Sequence, residues 1–125
     1  MRVNEIVTNS VILCISMSLL GQAKEIISTY QQHGWTLRRV LLSRKNIDLR
    51  TEARELFNPA TVIEADIDAL WFARPSHANR EAWELHLVAE QPYALFEAFE
   101  ADESEEAREE VRLEMENRMR EYAAK

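Results

Sequence analysis

The feature that most constrains the fold is a strand–helix–strand pattern in the first third of the chain. Residues 11–17 form a continuous apolar run rich in Val and Ile, which is typical of a buried strand, and residues 36–43 predict a second strand. Between them, apolar side chains recur with helical spacing from Leu19 to Tyr30, and Gly34 can end that helix in the left-handed conformation. Because the joints are short, we expect a right-handed crossover and parallel pairing of the two strands.

The rest of the chain predicts a second helix, a strand meander and a last helix. Apolar residues share one helical face from Leu49 to Phe57, and the Asn58-Pro59 pair ends that helix. An amphipathic helix with acidic residues in its first turn begins at Asp102 or Ser104. Strands are predicted at residues 61–74, with a break near Asp66, and at residues 82–88 and 93–100.

These elements predict one α+β domain over residues 1–125, with a mixed sheet and the order β-α-β-α-β-β-β-α. Apolar residues make up 46% of the chain and only two residues are glycine, which excludes a disordered chain and disfavours an all-β sandwich. The order is similar to that of a thioredoxin-like domain with one added strand. A thioredoxin-type site needs two cysteines, however, and Cys14 stands alone inside the first predicted strand, so we expect it to be a buried apolar side chain.

The apolar run before residue 21 is relevant to where in the cell the protein is located. Ten residues from Val11 to Leu20 are too short to cross a bilayer as a helix, which needs about 20 residues. A secretory leader ending at the small residues 21–23 stays open as an alternative, although Glu5 weakens its basic start. We therefore expect a soluble cytoplasmic protein that does not bind a membrane.

One candidate site is a set of acidic and imidazole side chains in the predicted meander. Alternation along the strands places Asp66 and Asp68 on one face, and Glu84 and His86 together on one face of a neighbouring strand. Oxygen ligands of this kind suit Mg²⁺, Mn²⁺ or Ca²⁺, and His86 can serve as a general base. The alternative reading is a solvated face of an antiparallel sheet.

A second candidate is a basic block in an otherwise acidic chain. Six basic and two acidic residues lie between positions 36 and 54, whereas the whole chain has a net charge of −7. Arg44, Lys45 and Asn46 follow a predicted strand and begin a helix, which predicts a small anion site. No glycine-rich phosphate loop accompanies them, and the negative net charge argues against nucleic acid as a partner.

Aromatic residues of the meander predict an interface. Trp71 and Phe72 are adjacent, so a strand directs them to opposite faces, and both faces need a cover. With Phe96, they are the candidates for contact with a protein partner or a second subunit. No histidine or serine lies in a known nucleophile motif. The sequence therefore predicts a non-catalytic interaction or accessory protein without a cofactor, and self-association is one form that the interaction can take. The alternative is a small metal-binding protein or metal-dependent hydrolase.

Overall fold

A computed structural model describes residues 18–125 of the chain. The predicted first strand at residues 11–17 and Cys14 lie outside the described residues. Four helices and five strands follow: α1 Leu19–Gln32, β1 Thr36–Ser43, α2 Leu49–Glu52, α3 Arg54–Phe57, β2 Thr61–Ala65, β3 Ala69–Pro75, β4 Glu81–Leu87, β5 Ala94–Phe99 and α4 Glu105–Ala123. Short 3₁₀ turns occur at Arg44–Asn46 and His77–Asn79.

The five strands form one mixed sheet in the order β2-β1-β3-β4-β5. The pairs β1–β3, β3–β4 and β4–β5 are antiparallel, which confirms the predicted meander and the α+β class. The parallel pair among the described residues is β1–β2, joined through α2 and α3. The sequence predicted a crossover between residues 11–17 and 36–43, of which residues 11–17 lie outside the described residues. Within the described residues, β1 pairs with β2 on one side and with β3 on the other.

Side-chain hydroxyls fix the starts of the two long helices. Ser18 Oγ accepts a hydrogen bond from the backbone N–H of Gly21 at 3.0 Å, and Ser104 Oγ accepts one from Ala107 at 3.1 Å. Ser104, rather than Asp102, is therefore the cap of α4. Gly34 ends α1 with a φ of 85°, a conformation that favours glycine.

Helices cover both faces of the sheet, so the protein has two apolar layers. On the α4 face the core contains Leu41, Trp71, Trp83, Leu85, Leu95, Phe99, Met115 and Met119. On the face of α1, α2 and α3, which we call the α1 face, it contains Ala23, Ile27, Val40, Leu42, Phe57, Leu70 and Phe72. Because Trp83, Leu85 and Leu87 lie in the α4-face core, the alternation predicted for β4 is confirmed.

A β-bulge interrupts β1 at Arg38. Leu37 pairs with Phe72, and the next paired residue, Arg39, pairs with Trp71, which leaves Arg38 as an extra residue. Both Arg38 and Arg39 place their guanidinium groups over the ring of Trp83, on the α4 face. Strict alternation along a strand would place these neighbouring residues on opposite faces. The bulge interrupts the alternation, so both side chains lie on the α4 face.

The α1 face is covered unevenly. Tyr30 of α1 stacks on Phe72 of β3 with ring centroids 4.1 Å apart, so the middle of the sheet is buried there. At the β5 edge, Ala94 and Phe96 are exposed on the same face, and 58% of Phe96 is accessible to solvent. Within residues 18–125, no helix is long and apolar enough to cross a membrane.

Candidate interaction surface and arginine cluster

The two predicted metal-ligand aspartates each have protein partners at one end of the sheet. Asp66 Oδ1 accepts a hydrogen bond from Arg120 Nε at 2.5 Å, and this guanidinium lowers the pKa of the carboxyl group. Asp68 accepts hydrogen bonds from the backbone N–H of Ser43 at 2.8 Å and from Asn46 Nδ2 at 3.0 Å. Asp68 therefore ties the loop before β3 to the end of β1.

The other two predicted ligands, Glu84 and His86, share the α1 face of β4 as expected. Glu84 accepts a hydrogen bond from the hydroxyl of Tyr30, and burial together with this bond raises the pKa of Tyr30. His86 Nδ1 lies 3.0 Å from the carbonyl oxygen of Leu87. In the part of the chain that the structure describes, no group of three or more His, Cys, Asp or Glu side chains is placed to hold a metal ion. The metal hypothesis stays a prediction without a ligand cluster to support it.

The three residues of the predicted anion site point to different places. Arg44 is 92% exposed and its Nε lies 3.6 Å from Glu64, whereas the amide of Asn46 donates to Ser43 and Asp68. Lys45 lines a groove of about 470 Å³ at the carboxyl end of β1, where the carboxylates of Asp66 and Asp68 also lie. Because the three side chains have different partners and do not meet in this groove, the geometry gives this hypothesis no support.

Of the three predicted interface residues, only Phe96 is exposed. Trp71 and Phe72 are completely buried, in the α4-face core and the α1-face core respectively. As expected for neighbours on a strand, they point to opposite faces, but helices of the same chain cover both. An interface in the folded protein can therefore include Phe96 and exclude the other two.

An arginine cluster on the α4 face was not predicted. It consists of Arg38, Arg39 and Arg112, whose guanidinium groups lie over the ring of Trp83, and of Arg108, which shares the carboxylate of Glu81 with Arg38. The guanidinium of Arg112 lies 4.4 Å from the ring centroid of Trp83, and those of Arg38 and Arg39 lie 5.0 and 5.8 Å from it. These distances are within the range of cation–π attraction. Arg112 is also fully buried, with 1% of its surface exposed.

Glutamates of α4 and β4 neutralise most of this cluster. Glu109 accepts hydrogen bonds from both terminal nitrogens of Arg39, at 2.8 and 3.2 Å, and from Arg112 Nε at 3.0 Å. The Arg39 bonds, assisted by Arg112 and opposed by partial burial, hold the pKa of Glu109 below its ordinary value. Arg112 also donates to Glu105. The cluster thus attaches α4 to β1 by hydrogen-bonded ion pairs.

Two nitrogens of the cluster have no hydrogen-bond partner among residues 18–125. They are Nε of Arg108 and Nη1 of Arg112, and both are buried. A buried unpaired donor is destabilising by about 1–3 kcal/mol. The cluster is therefore an imperfect network whose other contacts have to offset this loss.

The exposed β5 edge of the sheet is the second candidate site, beside the arginine cluster. We define the β5 surface as Trp35, His86, Ala94, Phe96 and Ala98, which lie together at the β5 edge of the α1 face. The rings of Trp35 and Phe96 meet edge to face with centroids 6.5 Å apart. Within the sheet of residues 18–125, β5 pairs only with β4, so its other side presents free backbone donors and acceptors.

No protein-family model, curated protein or solved structure matches this chain.

Proposed function

We propose that this protein is a non-catalytic interaction module that binds a protein partner through the β5 surface. The observation that carries the proposal is the 58% exposure of Phe96 on an edge strand. An exposed aromatic side chain beside backbone groups that have no strand partner among residues 18–125 combines two sources of affinity, apolar burial and main-chain hydrogen bonding. The cytoplasmic location expected from the sequence belongs to the same proposal.

The mode of binding that this surface supports is addition of a strand to the sheet. A partner strand beside β5 would pair with its free N–H and C=O groups, and alternate side chains of the partner would face Phe96. Trp35 supports Phe96 from one side, and the guanidinium of Arg74 lies 5.0 Å from the ring centroid of Trp35. These contacts restrict the rings before binding, which reduces the entropy lost on association.

The opposite edge of the sheet is a weaker candidate. Strand β2 has five residues against six in β5, and its exposed apolar side chain is Ile63, at 39%. Glu64 on β2 is paired with Arg44, so charged groups flank this edge. Each edge strand carries one exposed glutamate, Glu64 on β2 and Glu97 on β5, so the larger exposed aromatic surface of Phe96 distinguishes the two edges. The β5 edge is therefore the one we assign to partner binding.

Site-specific photocrosslinking tests this assignment. A benzophenone amino acid is incorporated in place of Phe96 in one variant and in place of Leu113 in a control. Leu113 is also an exposed apolar residue, at 50%, but it lies on α4. We expect protein crosslinks from position 96 that are absent or much weaker from position 113. Equal crosslinking from both positions, or none from position 96, would contradict the proposal.

A further inference from the structure

We infer that the partner strand at the β5 surface is β5 of a second copy of this chain, paired antiparallel about Phe96. This inference rests on the proposed function and names its partner. In a twofold-symmetric pair each copy presents the same edge, so the two five-stranded sheets would join into one continuous sheet. The side chains that meet in each possible register of two β5 strands favour this pairing.

Twofold symmetry leaves two registers near the middle of β5. In both, a residue at the centre lies opposite its own copy, because only then do side chains of one face meet side chains of the same face. Centring on Glu97 would place two carboxylates directly opposite each other, which is destabilising. Centring on Phe96 places Phe96 opposite Phe96, and Leu95 opposite Glu97, with no like charges paired.

The register centred on Phe96 also fits the surface around it. Ala94 of each copy would face Ala98 of the other, and these small side chains leave room for the central aromatic pair. Trp35 of each copy already lies 6.5 Å from its own Phe96, so four rings would form one row across the junction. The exposed part of Phe96 would thereby leave water.

The charge of the chain gives the dimer a distinctive salt dependence. Each copy has a net charge of −7, so two copies repel each other, while the contacts at the junction are apolar and main-chain. Salt screens the repulsion over a distance of about 10 Å at 0.1 M ionic strength. We therefore expect association to strengthen as salt is raised, whereas an interface built on ion pairs would weaken.

Analytical ultracentrifugation of the full chain provides the first test. At about 100 μM protein, a Kd of about 10 μM gives mostly dimer, and the dimer fraction should rise between low and high NaCl. Phe96→Glu should raise the Kd about 30-fold or more, because it removes the central ring and pairs two carboxylates. Leu113→Glu, which places the same charge at an exposed apolar position on α4, should leave the Kd within about twofold. A circular dichroism melt verifies that both variants fold.

Cysteine crosslinking provides the test of register. In a Cys14→Ser background, Ala94→Cys and Ala98→Cys are prepared separately with different affinity tags and oxidised alone or mixed. We expect a disulfide between the two variants in the mixture and none within either variant alone, because residue 94 lies opposite residue 98. Disulfides within one variant alone, or their absence from the mixture, would overturn the register.

The outcomes separate this inference from the proposed function. A strictly monomeric chain whose position 96 crosslinks to a different protein would overturn self-pairing and leave the proposed function standing. A monomer with no crosslinks from position 96 would overturn both. Equal loss of the dimer in Phe96→Glu and Leu113→Glu would overturn the assignment to β5.

Discussion

Replacing Arg112 separates the contribution of its charge from that of its volume. Arg112 is buried against Trp83 and pairs with Glu105 and Glu109, yet one of its terminal nitrogens has no partner among residues 18–125. Glu105 is well exposed, and Glu109 keeps its bonds to Arg39. Removing the cation therefore leaves no carboxylate both buried and unpaired, which is the usual reason that breaking a buried pair is severe.

The expected effects follow from these contacts. Arg112→Ala removes a desolvated cation–π contact of about 2 kcal/mol and leaves a cavity, and both effects are destabilising. It also removes the buried unpaired donor, which is stabilising. We expect the free energy of unfolding to fall by about 3 kcal/mol in total. Arg112→Met fills most of the volume and removes the same unpaired donor, so it should lie within about 1 kcal/mol of the parent. For a domain of this size these changes correspond to melting temperatures about 12 °C and at most about 4 °C lower.

Urea unfolding followed by far-ultraviolet circular dichroism measures both variants, with Arg118→Met as the control. Arg118 is exposed on the same helix, so its replacement should change the free energy of unfolding by less than about 0.5 kcal/mol. The free energy of unfolding should decrease with urea concentration with the same slope in all variants. If Arg112→Met were as unstable as Arg112→Ala, the charge of Arg112 would hold α4 on the sheet, and the reasoning from volume would be refuted.

Substitutions at three further residues test other contacts, each by urea unfolding. Glu109→Gln should be destabilising by about 1 kcal/mol at neutral pH, because Arg39 lowers the folded-state pKa of Glu109. That contribution is present above the ordinary pKa of 4.5, so the gap between variant and parent should close as the pH falls below it, and a constant gap would contradict the assignment. Asp68→Ala should be destabilising by about 2 kcal/mol, since it leaves the N–H of Ser43 without its acceptor, and Asp68→Asn should recover part of this. Tyr30→Phe should be destabilising by about 1 kcal/mol near pH 7. Because the fold raises the pKa of Tyr30 above 10, the parent should lose this contribution above pH 10 and the variant should show no such loss.

The strand pattern was predictable wherever apolar residues follow a period of two. Strand β4 is the clearest case, since Trp83, Leu85 and Leu87 all enter the α4-face core as expected. The break near Asp66 was also predicted, and its cause is visible in the structure. Asp68 accepts hydrogen bonds from Ser43, so the chain turns between β2 and β3.

The arginine cluster could not be predicted because hydrophobic patterns count charged residues as exposed. Arg112 and Glu116 are buried in α4 among Met115 and Met119, and Glu116 accepts a hydrogen bond from Trp71 Nε1 at 2.8 Å. The partners that make their burial possible come from distant parts of the chain. The one feature of the α4 sequence that indicates buried charges is that acidic and basic residues interrupt its narrow apolar stripe.

Two of the three predicted interface residues, Trp71 and Phe72, are buried, and the sequence did not indicate this for a related reason. The adjacency of Trp71 and Phe72 correctly implies opposite faces, but a local pattern does not give the number of helices available to cover each face. In the structure α4 covers one and α1 with its neighbours covers the other. Phe96 differs because it lies one strand beyond β4, at the edge of the sheet.

We expect β1 to tolerate a change in length at position 38, where the bulge lies. Leu37 and Arg39 already lie in opposite layers, so a strand lacking residue 38 would alternate regularly, and its remaining side chains would stay where they are. Deleting any residue from Val40 to Leu42 would instead transfer apolar groups to the wrong layer. The bulge thus brings an additional guanidinium to Trp83 while the core side chains on either side of it keep their layers.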